Sequence, residues 1–289
     1  MISSIPEEVR VALQSSFGTL NKFSPAHGGC INNGGRLKTS TGELFIKWNS
    51  SMKYPDMFKA EAHGLNYLAA TGCVRVPRVR AVLETKQHQV LVLEVIVENR
   101  KSPNYWSSLG RGLASIHGQS NATFGLESDN YIGSLPQKNS ASGSLIEFYV
   151  DNRFRPQLEL ASRSGLLVMQ DVSNLENLFV RLNEILPERA PSLLHGDLWS
   201  GNIMSDDVGE PVLIDPAVYY GAPEADIAMT RLFGGFHEQF YEAYFAETPM
   251  DPGVEERILI YQLYPLLVHV NLFGRSYVSQ VREILSRFT

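Results

Sequence analysis

The sequence predicts an α+β protein, a small antiparallel β-sheet lobe followed by a large, mainly helical one. Three observations carry this. Apolar runs broken by Gly- and Asn-rich turns fill the first hundred residues, as in FSPAHGGCINNGGRLKTSTGELFIKW and VRVPRVRAVLETKQHQVLVLEVI. From Tyr105 onward helical spacing takes over, with Leu109, Leu113 and Ile116 on one stripe. Within that helical half, SLLHGDLWSGNIM and PVLIDPAVYY are two short apolar runs, each delivering a carboxylate onto a loop.

Taken in order, residues 4–16 form a helix with Ser4 as cap, Glu7 completing a capping box, and Val9, Ala12 and Leu13 as its apolar side. A hairpin follows, with strands at 36–39 and 43–48 around a turn at Thr41-Gly42. Lys47 stands between Ile46 and Trp48 in an otherwise apolar strand. The next helix spans 56–70, stops at Gly72, and places Glu61, Leu65, Leu68 and Ala69 on one face. A glutamate on an apolar face is costly unless paired, and Lys47 is the cation at hand. Two strands around a polar turn at 85–88 end near Ile96, and the polar run 97–104 reads as a linker. The domains are therefore expected at 1–96 and 105–289.

Beyond the linker, 121–143 is rich in Gly, Ser and Asn, and Asn130, Tyr131, Ile132 and Gly133 are candidates for the border of an acceptor site. His117 reads as a packed core histidine. A helical stretch from 145 is interrupted at Pro156, another helix spans 175–186, Pro223 suits a first helical turn, and Pro265 is expected to kink a later helix.

Composition narrows the function. The chain has 289 residues, 44% of them hydrophobic and 19% charged, with a net charge of −6. The acidic balance and lack of a basic block argue against nucleic acid. No run approaches a membrane span, and the opening MISSIPEEVR lacks a secretory pattern, so a cytoplasmic protein is expected. Cys30 and Cys73 make no disulfide framework, and no zinc-ligand spacing is present.

The catalytic signal is the set His195, Asp197, Asn202 and Asp215. A carboxylate to accept a proton, with further oxygen donors for magnesium, is what phosphoryl transfer requires. The bland alternative is a polar loop between two core strands. The spacing resembles the catalytic and metal loops of the kinase fold, with Gly196 and Pro216 replacing the Arg and Phe common there. This H-G-D-x-x-x-x-N form is similar to the aminoglycoside phosphotransferase-like kinases. That resemblance implies a bilobal protein-kinase-like fold with an ATP cleft between the lobes. It makes Asp197 the catalytic base, with Asn202 and Asp215 as magnesium ligands and His195 and Asp226 as support. Gly28, Gly29, Cys30 and Asn32 would cover the ATP phosphates, and Lys47, held by Glu61, would neutralise them. The Glu94 carbonyl and Ile96 N–H would hold adenine.

The match extends further. SPAHGGCINNGGRL, MFKAEAHGLNYL, FRPQLELA, LLHGDLWSGNIM, LIDPAVYYGAPEADIAMTRLFGGF and ERILIYQLYPLLVHVNLFG together resemble the fructosamine kinase (ketoamine 3-kinase) family. The resemblance implies ATP- and Mg2+-dependent phosphorylation of the 3-hydroxyl of ketosamines, free or as glycated lysine on proteins, which destabilises the adduct and releases the amine. Trp199, two residues after the base, offers an aromatic face to the sugar. Cys30 is also a redox candidate, whose oxidation would distort the phosphate loop or link two chains. The chain is then a monomer or a redox-sensitive dimer. Departures from the family pattern fall at Ala26-His27, Gly35 and Phe154, the last where an arginine is common, which counts against Arg153 and Arg155 as a sugar clamp. The rival readings are an aminoglycoside or choline kinase, a nucleotide-binding pseudokinase and, with Gly196, Trp199 and no long activation segment against it, a protein kinase.

Overall fold

A computed structural model describes residues 2–26, 33–249 and 251–288. The chain divides into two compact units, Met1–Tyr105 with Met204–Asp215, and Trp106–Ile203 with Pro216–Thr289.

In the first unit, α1 (Glu7–Phe17) precedes β1 (Leu20–Pro25), β2 (Asn33–Thr39) and β3 (Gly42–Ser50). Then come α2 (Met57–Thr71), β4 (Val79–Glu84) and β5 (His88–Glu94). The strands form one antiparallel sheet in the order β1-β2-β3-β5-β4. Side chains alternate across a strand, so β3 serves two faces. Leu44, Ile46 and Trp48 join Val9 and Leu13 of α1, with Phe23, Leu37, Val90 and Val92, in one apolar cluster. The Phe23 and Trp48 rings meet edge-on at 5.5 Å. Lys47 and Asn49 alternate to the other face, where Asn49 Nδ2 donates to Met57 Sδ of α2 at 3.1 Å.

Some sequence expectations shift here. Ser4 is not the cap of α1: Ile2–Ser4 is a separate 3-10 turn and Pro6 stands at the cap, with no side-chain hydrogen bond. On α2, Ala69 is exposed, and the buried face is made by Phe58, Ala62, Leu65 and Leu68. The stretch 97–104, expected as a linker, is hydrogen-bonded inside this unit. Ser102 Oγ donates to Glu210 Oε1 at 2.9 Å, and Asn99 Nδ2 donates to the Asp207 carbonyl at 2.9 Å.

The second unit is mainly helical. It holds α3 (Tyr105–His117), the short hairpin β6 (Asn130–Ile132) and β7 (Leu135–Gln137), α4 (Leu145–Tyr149), α5 (Arg155–Arg163) and α6 (Met169–Ile185). After β8 (Ser192–Leu194), the hairpin β9 (Ile203–Ser205) and β10 (Pro211–Leu213) belongs almost wholly to the first unit. The chain then completes the second unit with β11 (Tyr219–Gly221), α7 (Glu224–Leu232), α8 (Glu238–Glu247), α9 (Val254–Phe273) and α10 (Val278–Leu285). Strand β11 pairs antiparallel with β8.

Pro156 does not break its helix. Val150–Phe154 is a single π-helical turn joining α4 to α5, and Pro156 lies in the first turn of α5, where a missing N–H is tolerated. Helix α6 begins six residues before the expected 175, because Asp171 caps it by accepting from Val168 N–H at 3.0 Å. Helix α9 runs through Pro265. No helix among the described residues is long and apolar enough to cross a membrane.

Asp171 also takes both arms of Arg282 on α10, at 2.7 and 2.9 Å. Arg282 holds its carboxyl below the ordinary aspartate value of 3.8. A depressed carboxyl stabilises the fold above its unfolded value and loses that contribution as pH falls through the lower folded one. Asp171→Asn should therefore lower stability by about 1–2 kcal/mol at neutral pH. The gap from the unsubstituted protein should close below pH 3.8, as read by urea unfolding across the acid range.

Candidate active site

In the first unit the site is built around Lys47. Its Nζ lies 2.7 Å from Glu61 Oε1 and 2.6 Å from Asp215 Oδ1. Burial works against the ammonium, but Asp215 and then Glu61 outweigh it and raise its pKa, so Lys47 stays charged. One cation shared by two carboxylates leaves a net negative charge. Glu61, only 12% exposed, is the partner whose carboxyl burial pushes up, whereas Asp215 is 44% exposed. Asp215 follows β10 with φ 53°, in the left-handed region that aspartate tolerates better than most residues. Its strand is tied down from within the unit: Leu213 N–H donates to the Arg75 carbonyl at 2.9 Å, and Arg75 pairs with Asp206 at 2.8 Å.

In the second unit the loop after β8 carries His195, Gly196 and Asp197. The buried Asp226, three residues into α7, accepts from His195 N–H at 2.7 Å and Gly196 N–H at 2.9 Å. His117 Nε2 adds a third contact at 3.2 Å, and its Nδ1 meets the Tyr244 hydroxyl at 2.7 Å. Burial alone would raise Asp226, but its hydrogen bonds and the histidine charges hold it below 3.8. Gly196 has φ +82°, and a Cβ there would lie 2.1 Å from the Ala217 carbonyl oxygen. This is why glycine, not a larger residue, precedes the aspartate. Asn202, in the 3-10 turn Ser200–Asn202, donates from Nδ2 to the Asp197 carbonyl at 2.8 Å and to its Oδ2 at 3.1 Å. The carboxylate is thus oriented by the amide five residues on.

A protein-family model for fructosamine kinase matches residues 1–289. This chain belongs to the fructosamine kinase family. It is accordingly a phosphotransferase acting on an alcohol group, with a kinase-like α+β fold. It is similar to the chloroplastic protein-ribulosamine 3-kinase of Arabidopsis thaliana, 38% identical over 274 residues, covering 93% of this chain and 83% of the relative. It is similar also to a solved Thermobifida fusca protein described provisionally as a fructosamine-3-kinase. There the identity is 30% and the TM-score 0.87, with 98% of each chain covered. The aminoglycoside phosphotransferase APH(4)-Ia shares the fold alone, at 12% identity and TM-score 0.69, covering 98% of this chain and 99% of that one.

For this fructosamine kinase family member, Lys47, Glu61 and Asp215 meet at one point in the first unit. His195, Asp197, Trp199, Asn202 and Asp226 share one loop system in the second. Trp199 is 39% exposed, and its indole covers Gly201, where a Cβ would lie 2.2 Å from the ring. Glu94 turns its carboxylate to Arg75 at 3.4 Å, and the Ile96 carbonyl accepts from Arg36 Nη2 at 3.1 Å. Gly28, Gly29, Cys30 and Asn32 lie outside the described residues.

The arginines beside Phe154 are engaged elsewhere. Arg153 is no sugar clamp: it is fully buried, stacked 3.9 Å over Tyr219 and bonded to Asn139 Oδ1 at 2.8 Å. Arg155 pairs with Glu176 at the surface. Sequence reading missed the second partner of Lys47, Asp215, 168 residues away in the chain. It also missed the link from His117, through Asp226, to the loop after β8. A histidine on an apolar helix stripe gives no signal of which carboxylate it meets.

Asp226→Asn would turn an N–H2 toward at least one backbone N–H. It should lower stability by about 2–4 kcal/mol. Gly196→Ala should lower it by a similar amount, about 2–4 kcal/mol, through the clash at Ala217 and the left-handed φ. Urea unfolding with a paired activity assay checks both.

Proposed function

We propose that the protein phosphorylates the 3-hydroxyl of ketosamines with ATP and magnesium, a step that leads to deglycation of the amine. The observation that carries the chemistry is the Asp197 carboxylate, held by Asn202 on a loop anchored by Asp226. The substrate class rests on family membership and on the Arabidopsis relative, named for ribulosamine on proteins.

Asp197 Oδ accepts the proton of the sugar hydroxyl as the new phosphorus–oxygen bond forms. A positioned base of this kind contributes about 10²–10⁴ in rate. Lys47, kept cationic by Glu61 and Asp215, neutralises nucleotide phosphate charge. Asn202 and Asp215 each offer the kind of hard oxygen donor that magnesium takes, and they are the assigned ligands. When bound, it supplies charge neutralisation at the transferring phosphoryl group. Gly28, Gly29, Cys30 and Asn32 are the assigned phosphate loop, with adenine on the Glu94 carbonyl and Ile96 N–H. Trp199, 39% exposed, is the assigned wall for the apolar face of the sugar.

Phosphorus NMR with ATP, magnesium and a panel of ribuloselysine, fructoselysine, kanamycin and choline tests the reading. A 3-phosphate signal on a ketoamine is expected. Turnover on kanamycin or choline alone would overturn the substrate class and leave the fold in place. Asp197→Ala should reduce turnover by roughly 10²–10⁴ while ATP binding stays nearly unchanged. Unchanged turnover, or ATP binding lost together with turnover, would remove Asp197 from the role of base.

A further inference from the structure

Helix α2 carries Glu61, yet it has no N-terminal cap of its own. Asp56 occupies the cap position with φ 56° and makes no capping hydrogen bond. Its carboxylate turns instead to Lys59, at 2.9 Å. The first N–H groups of a helix have no partner within it, and when buried they need one from elsewhere. Here the partner comes from the sheet. Gln89 of β5 is 2% exposed, and its Oε1 accepts from Phe58 N–H, in the first turn of α2, at 2.9 Å. Its Nε2 donates to the Tyr54 carbonyl, on the loop that leads into the helix.

The register makes this amide part of the Lys47 arrangement. On β5, Leu91 faces Lys47 across the ladder and Gln89 faces Asn49. Gln89 and Asn49 thus lie on the sheet face that bears Lys47, one alternation along. Both reach the start of α2, Gln89 at Phe58 and Asn49 at Met57 Sδ. Glu61 follows Phe58 by three residues, roughly 4.5 Å along the helix axis. The sheet face that presents the ammonium therefore also sets where the carboxylate begins its approach.

We propose that Gln89 is a positioning residue for the Lys47–Glu61 pair: by capping α2 from the sheet, it sets the reach of Glu61 to Lys47 and so the binding of nucleotide phosphates. The proposal rests on the reading of Lys47 as the phosphate-binding lysine. Gln89 touches no reacting group in this scheme and acts only through Glu61.

The test compares Gln89→Met, which keeps the side chain's length but removes both amide functions, with Gln89→Glu, which keeps the acceptor toward Phe58. Two readouts are taken on the full-length protein: the NMR signal of the Lys47 ammonium without nucleotide, and KM for ATP against kcat. Gln89→Met should shift or lose the ammonium signal and raise KM for ATP roughly tenfold. Gln89→Glu should recover much of both. In a Glu61→Gln background, Gln89→Met should change KM for ATP less than about twofold, because the two act on one interaction. A lowered melting temperature with an unchanged ammonium signal and KM would reduce Gln89 to a structural residue and overturn the proposal. So would effects of Gln89→Met and Glu61→Gln that multiply. A lost ammonium signal with normal KM for ATP would uphold the link from Gln89 to Lys47 and overturn the assignment of Lys47 to phosphate.

Discussion

The ammonium of Lys47 is buried against a sheet face, and a buried cation must be matched by nearby anions or lose its charge. Much of the first unit follows from that demand. Glu61 answers it from α2 and Asp215 from the end of the β10 segment, so three distant pieces of chain converge on one nitrogen. The convergence explains why Met204–Asp215 packs with the N-terminal sheet and not with the helices that surround it in sequence. Arg75 supports the same placement, through its carbonyl to Leu213 and its guanidinium to Asp206. The second carboxylate leaves the group negative overall.

The second unit solves the opposite problem. Asp226 is a buried anion, and it is matched by donors: two backbone N–H groups and a histidine. Its position in the first turn of α7 adds the favourable end of the helix dipole. The result is a rigid support behind a loop that would otherwise have to bend sharply through Gly196. Removing Lys47 from the first centre leaves two carboxylates facing each other, and removing Asp226 from the second leaves buried donors without an acceptor; both are costly in a poorly solvated place.

The members of both centres were legible in the sequence because each sits where its residue type is out of keeping with its neighbours. Lys47 interrupts an apolar strand, Glu61 interrupts an apolar helix face, and Asp197 and Asp215 each end an apolar run. Partners reached through space were less legible. Nothing in the sequence around Arg153 shows that the π-helical turn buries it beneath Tyr219, where stacking and carbonyl acceptors replace a carboxylate. Ser4 carries a capping pattern that Pro6 pre-empts, since proline fixes the backbone and supplies the cap position itself.

The sequence alone determined the fold class, singled out His195, Asp197, Asn202 and Asp215 by their spacing, and paired Lys47 with Glu61. These are local properties: periodicity, turn residues and spacing within a loop are set by neighbours a few residues apart. Only the tertiary structure decided that Asp215 shares Lys47 with Glu61, that His117 and Tyr244 stand behind Asp226, and that a glutamine on β5 caps α2. Each of those depends on sheet register or helix packing. Register is fixed by the sum of many weak contacts along two strands, and no single residue announces it.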